Sequence, residues 1–406
     1  MNTDEASELF ALAERLSADI RRLRDVLEWE FLSRQIEEIF NEDYDLGEVV
    51  KIEQIHGGYV NQAFAVWTRT ESGERKYFVC KYNKAIIERE VRFQHRLVNH
   101  IVRRGFHMAA EVFETKTGGT FATREETLDC ERVVRFFAVF ALLGGEDKYT
   151  WVKNRCTDRE YENSARALAE FHHYGQDFDP GDVRREQPPI MELVSTLAET
   201  FTACCGHAKG TPFEEYLLPR MPAVLDVIEK GAEIAPLLRG LPFIPVHCDY
   251  HPGNLKYAGE RVVGMFDFDW SKLDYRLFDV GLAVAYFCSS WGGPDSGELW
   301  LDKAAIFVRA YQHEAARFAA PGPMSQAELA CLPRMIANAN LFVLNWDIAA
   351  YYADKDPNED EYLTYLEHNL KLMEFIESHQ AELAQVSAPT GTAGEPAVSS
   401  QEGDQG

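Results

Sequence analysis

Strand-like and helix-like patterns occupy separate parts of this 406-residue chain, and this separation limits the folds open to it. Short β-rich runs divided by turn residues fill residues 49–145, with one helical pattern among them. From residue 160 onward, apolar residues recur at helical spacing, interrupted by two short strand patterns at 244–246 and 262–266. The separation predicts an α+β protein with a β-rich N-terminal lobe and a mainly α-helical C-terminal lobe.

Apolar residues at helical spacing also precede the strands, and they predict one or two amphipathic helices between about Glu5 and Phe40. These residues are Leu9, Leu12, Leu16, Ile20, Leu23 and Leu27. We expect the helices to pack on the outside of the first lobe, and pairing with a second copy of the chain is the alternative. The predicted segments are a helical extension (1–48), a β-rich lobe (49–145), a helical lobe (146–385) and a disordered tail (386–406).

The charge of the chain excludes several classes of partner. Lys and Arg number 41 and Asp and Glu number 66, so the formal net charge is −25. Such an acidic protein is not expected to bind nucleic acid or an anionic membrane surface. No apolar run is long enough to span a bilayer, the acidic N-terminus does not resemble a signal peptide, and no cysteines form a CxxC pair. We therefore expect a cytoplasmic protein with reduced thiols and no membrane partner.

The densest polar cluster lies beside the two strand patterns of the helical lobe. Asp249 and Asn254 stand five residues apart in the segment HCDYHPGN, and Asp267 follows the strand pattern VVGMF. Phosphoryl transfer to an alcohol requires a carboxylate that orients the alcohol and accepts its proton. It also requires hard oxygen ligands that hold Mg²⁺ on the nucleotide phosphates. One acid, one amide and a second acid supply these groups.

These segments resemble a known superfamily of small-molecule kinases. His247-x-Asp249-x-x-x-x-Asn254 followed by Phe266-Asp267-Phe268 is similar to the Brenner-type motif of aminoglycoside phosphotransferases, choline kinases and type II homoserine kinases. The similarity covers about residues 49–282, and the stretches GGYVNQAFAV and FDVGLAVAYFCSSW favour the homoserine-kinase branch. The resemblance implies the bilobal protein-kinase-like fold and a kinase that uses ATP and Mg²⁺.

The resemblance also implies roles for individual residues of the helical lobe. They are Asp249 as catalytic base, Asn254 and Asp267 as Mg²⁺ ligands, His247 as a structural residue of the catalytic loop, and Asp279 as a residue that holds this loop. Cys248 stands where the superfamily usually has glycine. Because both side chains are small, we expect this departure to leave the loop intact.

In the β-rich lobe, a kinase of this kind needs a glycine turn over the phosphates, a strand lysine and a helix glutamate that holds the lysine. Gly57-Gly58 provides the turn and Lys81 ends a strand pattern. Glu88 and Glu90 are the choices for the glutamate. At about 100° per residue, Glu90 falls in the apolar sector of its helix and Glu88 lies nearly opposite. We therefore expect Glu90 to reach Lys81.

No residue set in the sequence identifies the acceptor. Asp269, Trp346 and Asp347 are possible substrate contacts, and the alternative is that they are a surface acid and ordinary residues of a packed helix. The expected substrate is a small-molecule alcohol or amino alcohol, and an aminoglycoside or a sugar stays open.

Three other functions compete with the small-molecule kinase. A catalytically silent nucleotide-binding regulatory module is one, but all the catalytic residue types are present. A protein kinase is another, but no activation loop or APE-like segment follows Asp267. A zinc hydrolase that uses His247, Cys248, Asp249 and His251 is the third, but it lacks a second histidine group.

Overall fold

The computed structural model describes residues 3–56, 60–128, 131–183, 185–206 and 209–386. These residues form two compact units. The first holds the described residues up to Val102 together with Ala110–Leu143, and the second holds Arg103–Ala109 and the described residues from Gly144 onward. The predicted division into four segments stays a prediction, because compact packing and function need not share boundaries.

A five-stranded antiparallel sheet forms the first unit. Its strands are β1 (Glu48–Ile55), β2 (Gln62–Thr70), β3 (Gly73–Lys81), β4 (Ala122–Leu128) and β5 (Glu131–Ala141). They lie in the order β1-β2-β3-β5-β4. The short β-rich runs that the sequence shows at 49–55, 64–69, 77–81 and 132–143 therefore correspond to β1, β2, β3 and β5, of which β5 ends at Ala141. The aromatic and β-branched residues of β2, β3 and β5 explain these strands, because such side chains suit a pleated surface that is buried.

One expected hairpin was wrong. In the sequence, Ala109–Glu114 and Thr120–Thr123 flank the turn residues Gly118-Gly119, and this pattern predicts a hairpin. The turn exists, since the Thr115 N–H donates to the Gly119 carbonyl at 2.7 Å. The strand that follows the turn, β4, pairs along its whole length with β5 instead. The longer ladder with β5 satisfies more backbone groups than the short stretch before the turn can.

The first helix, α1 (Thr3–Glu42), is a single helix whose last part packs on the sheet. Leu32, Ile36, Ile39 and Phe40 are buried in one core with sheet residues such as Phe64. The expected packing on the first lobe thus applies to this last part. Several apolar side chains earlier in α1 are exposed: Leu16, Ile20, Leu23, Val26, Leu27 and Phe31.

The second helix of this unit, α2 (Glu88–Arg103), confirms the phase argument made from the sequence. Phe93, Leu97 and Ile101 are buried on one face, and Glu90 is buried with them. The side chain of Glu88 is 53% exposed and pairs with Arg92 at 2.5 Å.

The second unit is mainly helical, as expected. Its helices are α3 (Asp158–Gly175), α4 (Ile190–Cys205), α5 (Pro212–Leu217), α6 (Met221–Ala232), α7 (Arg276–Cys288), α8 (Leu301–Ala315), α9 (Gln326–Ala353), α10 (Glu359–Ser378) and α11 (Gln380–Val386). Capping boxes begin α3, α5 and α9 at Thr157, Thr211 and Ser325. Among the described helices, α9 alone has the length and apolarity of a membrane span, and 78% of its most apolar window is buried in the protein.

Two short antiparallel ladders in the second unit carry the polar cluster. One pairs β6 (Phe243–Val246) with β9 (Lys272–Tyr275), and the other pairs β7 (Leu255–Ala258) with β8 (Arg261–Met265). The loop 247–254 leaves the end of β6 and enters β7, and Asp267 follows β8. The predicted tail is 386–406; Val386 is the last residue of α11, and residues 387–406 lie outside the described residues.

Candidate active site

Asp279, in the first turn of α7, holds the start of the loop 247–254. One of its carboxylate oxygens accepts the backbone N–H of His247 at 2.8 Å, and the other accepts that of Cys248 at 3.0 Å. Cys248 is buried and has a φ of 63°. A left-handed backbone is costly for a residue with a Cβ, so these two hydrogen bonds stabilise a turn that the chain would otherwise avoid. This turn sets the position of Asp249.

His247 connects this loop to the segment that carries Asp267. Its Nε2 lies 3.0 Å from the Phe266 carbonyl and donates to it, while Nδ1 is buried and has no hydrogen-bond partner among the described residues. Burial lowers the pKa of His247, against the attraction of the Asp279 and Asp249 carboxylates, and this favours the neutral ring. A neutral ring with one N–H satisfies this geometry.

Asp249 and Asn254 are in direct contact. The Asn254 side-chain N–H donates to Asp249 Oδ2 at 2.9 Å and to the Asp249 carbonyl at 2.8 Å. His251 Nε2 lies 3.6 Å from the same carboxylate. Burial by itself would raise the pKa of Asp249, but the interaction with His251 and the Asn254 hydrogen bond outweigh it and lower this pKa. The result is an ionised carboxylate at neutral pH, which a base requires.

Asp267 lies near these groups and also has a left-handed backbone, with a φ of 63°. Desolvation by the surrounding protein, followed by repulsion from Asp269 and Asp249, raises the pKa of Asp267 well above its ordinary value, although its side chain is exposed. A bound cation relieves such repulsion between carboxylates. Asn254 uses its amide nitrogen on Asp249, which leaves its amide oxygen for a cation.

These groups fit a magnesium ion better than a zinc ion. In the described part of the chain, no group of three or more His, Cys, Asp or Glu side chains is arranged to hold a metal. Zinc sites need three or four such ligands. Mg²⁺ binds through one or two carboxylates and completes its shell with water and phosphate oxygens. Asp267 and the Asn254 amide oxygen match the second description.

Asp347 on α9 is a buried acid of the same unit. Asn369 on α10 donates its side-chain N–H to Asp347 Oδ2 at 2.6 Å. Burial raises the pKa of Asp347 to about 8. Tyr286 on α7 is half-buried. Burial is the main cause that raises its pKa, and the negative charges of Asp249 and Asp347 raise this pKa further. Asp249 and Asp347 therefore both lie within electrostatic range of Tyr286.

The other two possible substrate contacts have different environments. Trp346 is 41% exposed, and its neighbour Asp347 is buried, since adjacent helix residues point about 100° apart. The backbone carbonyl of Asp269 accepts a hydrogen bond from the guanidinium of Arg185. Its carboxylate is close enough to Asp267 to raise the pKa of that residue.

In the first unit, the carboxylate in contact with Lys81 differs from the expected one. Lys81 Nζ lies 2.6 Å from Glu126 Oε1 on β4, and the two side chains are 9% and 8% exposed. Our assignment of Glu90 as this partner is corrected: Glu90 is buried on α2, as its helix phase predicts, but Glu126 occupies the position beside the ammonium group. The predicted glycine turn, Gly57-Gly58, lies outside the described residues.

Sequence reasoning missed Glu126 and Tyr286. Glu126 lies in a strand pattern that also contains Arg124 and Glu125, and only the strand order shows which of these charges faces Lys81. Tyr286 lies in FDVGLAVAYFCSSW, which we noted for its family resemblance. The available signal was the Tyr286 hydroxyl, since the residues of α7 that follow Asp279 are otherwise apolar.

Residues 51–324 match the profile of the phosphotransferase enzyme family, APH. A homoserine kinase of Parvibaculum lavamentivorans is 25% identical over 343 residues, which is 81% of this chain and 91% of the relative. A homoserine kinase of Xanthobacter autotrophicus is 27% identical over 308 residues, which is 75% of this chain and 82% of the relative.

Two solved kinases are similar to this chain in fold. A microcompartment-associated aminopropanol kinase has a TM-score of 0.62 and 16% identity, over 87% of this chain and 99% of the other. A spectinomycin phosphotransferase in complex with ADP and spectinomycin has a TM-score of 0.56 and 12% identity, over 85% of this chain and 98% of the other. These likenesses confirm the protein-kinase-like α+β fold.

Proposed function

Because this chain belongs to the phosphotransferase enzyme family, we propose that its kinase activity uses Mg²⁺ and acts on the hydroxyl group of a small amino alcohol. The chain is an ATP-dependent small-molecule kinase that phosphorylates a hydroxyl group. The silent regulatory module finds no support in these comparisons, since the relatives are named as kinases. The observation that carries the proposal is the contact between Asp249 and Asn254, 2.9 Å apart, near the raised-pKa acid Asp267.

Asp249 is the proposed base. Its lowered pKa keeps it ionised at neutral pH, so it can accept a hydrogen bond from the acceptor hydroxyl and take the proton as the oxygen attacks. The Asn254 N–H fixes one carboxylate oxygen, which leaves the other to face the substrate. Asp279, through His247 and Cys248, positions this base without touching the substrate.

Asn254 and Asp267 are the proposed ligands of Mg²⁺. When bound, Mg²⁺ would neutralise charge on the nucleotide phosphates. Lys81 in the first unit is the proposed cation for the α- and β-phosphates. Its pKa is lowered by burial and raised in part by Glu126, and Glu126 therefore helps to keep it charged.

The amino-alcohol acceptor follows from the relatives and from Asp347. The similar proteins are named for homoserine and aminopropanol, both of which carry an ammonium group and a hydroxyl group. Asp347 is a buried carboxyl group near Tyr286, and a substrate ammonium is a suitable partner for its charged form. We assign Asp347 to acceptor binding, with Trp346 and Asp269 as further candidates.

We also propose that the protein acts in the cytoplasm. The described cysteines are all free thiols: Cys80, Cys156, Cys204, Cys205, Cys248, Cys288 and Cys331. Free thiols are the usual state in a reducing compartment.

The test is an ATP-consumption assay with matched acceptors. Homoserine and aminopropanol are compared with the corresponding alcohols in which hydrogen replaces the amino group, with and without Mg²⁺, and the phosphorylated product is identified by mass spectrometry. We expect Mg²⁺-dependent phosphorylation with much higher kcat/KM for the amino alcohols. Equal turnover of the amine-free alcohols would contradict the acceptor class, and full activity in excess EDTA would contradict the metal.

A further inference from the structure

Three charged side chains form a buried cluster on one face of the five-stranded sheet. Lys81 Nζ lies 2.6 Å from Glu126 Oε1, and Arg135 Nη1 lies 3.5 Å from Glu126 Oε2. The three side chains are between 8% and 10% exposed. One carboxylate therefore neutralises two buried cations, and the cluster has one positive charge left over.

Strand register explains why these three residues meet. Lys81 on β3 is opposite Phe137 on β5, which is opposite Ala122 on β4. Glu126 is four residues from Ala122 and Arg135 is two residues from Phe137. Because side chains alternate along a strand, these even separations place all three charged groups on the same face.

Arg135 also fixes the backbone next to Lys81. Its Nε and Nη2 donate to the Tyr82 carbonyl at 3.2 and 2.7 Å, and the Tyr82 N–H donates to the Phe136 carbonyl at 3.0 Å. Arg135 thus holds both the chain that follows Lys81 and the carboxylate that binds its ammonium group. The planar guanidinium is suited to making both contacts at once.

We propose that Glu126, seated by Arg135, is the residue that positions Lys81 for the nucleotide phosphates. The position of the Lys81 ammonium group is then fixed by a side chain of the sheet and not by a glutamate of α2. This inference rests on the phosphate role proposed for Lys81. Glu126 acts through Lys81, so it is a positioning residue and does not contact the substrate.

Glu126 also helps to keep Lys81 protonated. The charged groups near Lys81 are Glu126 on β4 and Arg135 on β5. The centroid of the Phe137 ring lies 5.5 Å from Lys81 Nζ. On α2, the buried acid is Glu90. Desolvation and Arg135 lower the pKa of Lys81, and Glu126 opposes them. Without the Glu126 charge, Lys81 loses its proton at lower pH.

The experiment compares Glu126→Gln and Glu126→Asp with Glu125→Gln and Glu90→Gln in the full-length protein. Glu125 is the matched control, because it lies on the same strand with a side chain 71% exposed. The readouts are kcat, KM for ATP, KM for the acceptor, and the pH profile of kcat/KM for ATP. Thermal unfolding is recorded for each variant.

In Glu126→Gln, we expect kcat/KM for ATP to fall by about tenfold to a hundredfold, with an unchanged KM for the acceptor. The alkaline loss of kcat/KM for ATP should move to lower pH, which a purely structural role would not produce. Glu126→Asp should restore part of the activity, and Glu125→Gln should match the unsubstituted protein. Glu90→Gln should lose less than Glu126→Gln.

A loss in Glu90→Gln that exceeds the loss in Glu126→Gln, or an unmoved alkaline limb in Glu126→Gln, would overturn the inference. If Glu126→Gln does not fold, Glu126→Asp takes its place: its shorter side chain should raise KM for ATP and leave KM for the acceptor unchanged, and an unchanged KM for ATP would overturn the inference. Lys81→Met distinguishes the phosphate role of Lys81 from the positioning role of Glu126. If it keeps the KM for ATP, the phosphate role of Lys81 fails; if it loses ATP binding while Glu126→Gln keeps it, only the positioning role fails.

Discussion

Asp279 accepts the backbone N–H of Cys248, the residue held in a left-handed conformation immediately before the proposed base. The carboxylate lies at the start of α7 and is fully buried. His172 Nε2 lies 3.1 Å from the same carboxylate, so three groups depend on it. A single buried acid on α7 therefore holds the backbone of both residues that precede the proposed base.

Substitution of Asp279 should reduce both activity and stability. In Asp279→Asn, one backbone N–H faces an N–H donor and loses its acceptor, which should cost about 1–3 kcal/mol of unfolding free energy. A displaced Asp249 should lower kcat about a hundredfold. Chemical denaturation and steady-state kinetics measure the two effects. Asp295→Asn is the control, since among the described residues the carboxylate of this exposed acid hydrogen-bonds only to the Ser290 hydroxyl.

Asp249→Asn should remove the chemistry and keep nucleotide binding. The loss of a general base costs about 10²–10⁴ in rate. ATP affinity, measured by calorimetry with Mg²⁺, should change little, because Asp249 is not a proposed ligand of the phosphates. Turnover close to that of the unsubstituted protein would contradict the assignment.

The pH profile should reflect the lowered pKa of Asp249. A base with a lowered pKa stays ionised as the pH falls, and it becomes protonated only below the ordinary range for aspartate. The acid limb of kcat/KM due to this group should therefore lie below about 3.9, the ordinary aspartate pKa. The profile is measured over the range in which circular dichroism shows the folded state.

The backbone at Cys248 predicts which side chains it tolerates. Cys248→Gly should fold and keep most activity, because glycine adopts a φ of 63° without strain. Cys248→Val should be less stable by about 1–2 kcal/mol, because a β-branched residue is strained in this conformation. Thermal unfolding of the two variants, both of which lack the thiol, isolates the backbone effect. Equal stability of the two would contradict it.

The candidate residues of the loop 247–254 could be selected from the sequence because they are close together along the chain. Asp249, Asn254 and Asp267 lie within one short stretch, so their spacing is already visible there, although their roles stay a proposal. The partner of Lys81 could not be predicted in this way. Glu126 reaches Lys81 across two strand pairings, and the order β3-β5-β4 arises from competition among ladders that no short window of sequence contains.

Asp347 should make stability and acceptor binding depend on pH. Its pKa is raised to about 8, so the folded protein holds a proton that the unfolded chain releases near the ordinary value of about 3.9. Its contribution to stability is therefore complete below the unfolded pKa and is lost as the pH rises toward 8. Asp347→Asn should flatten this part of the stability profile.

Asp347→Asn should also weaken the binding of the acceptor without weakening the binding of ATP. Asp347→Asn should raise KM for an amino alcohol and leave KM for ATP unchanged, because only the ammonium group needs the charge. Asp356→Asn is the matched control, since Asp356 is an exposed acid just after α9. Parallel increases in both KM values would contradict a specific acceptor role.

The distribution of thiols offers a route to site-selective labelling. Cys248 is almost completely buried and burial raises its pKa well above the ordinary value, so a maleimide should not reach it in the folded protein. Cys204 and Cys205, at the end of α4, are half-exposed. Among the described cysteines, a fluorophore should attach there first, without chemical damage to the loop 247–254.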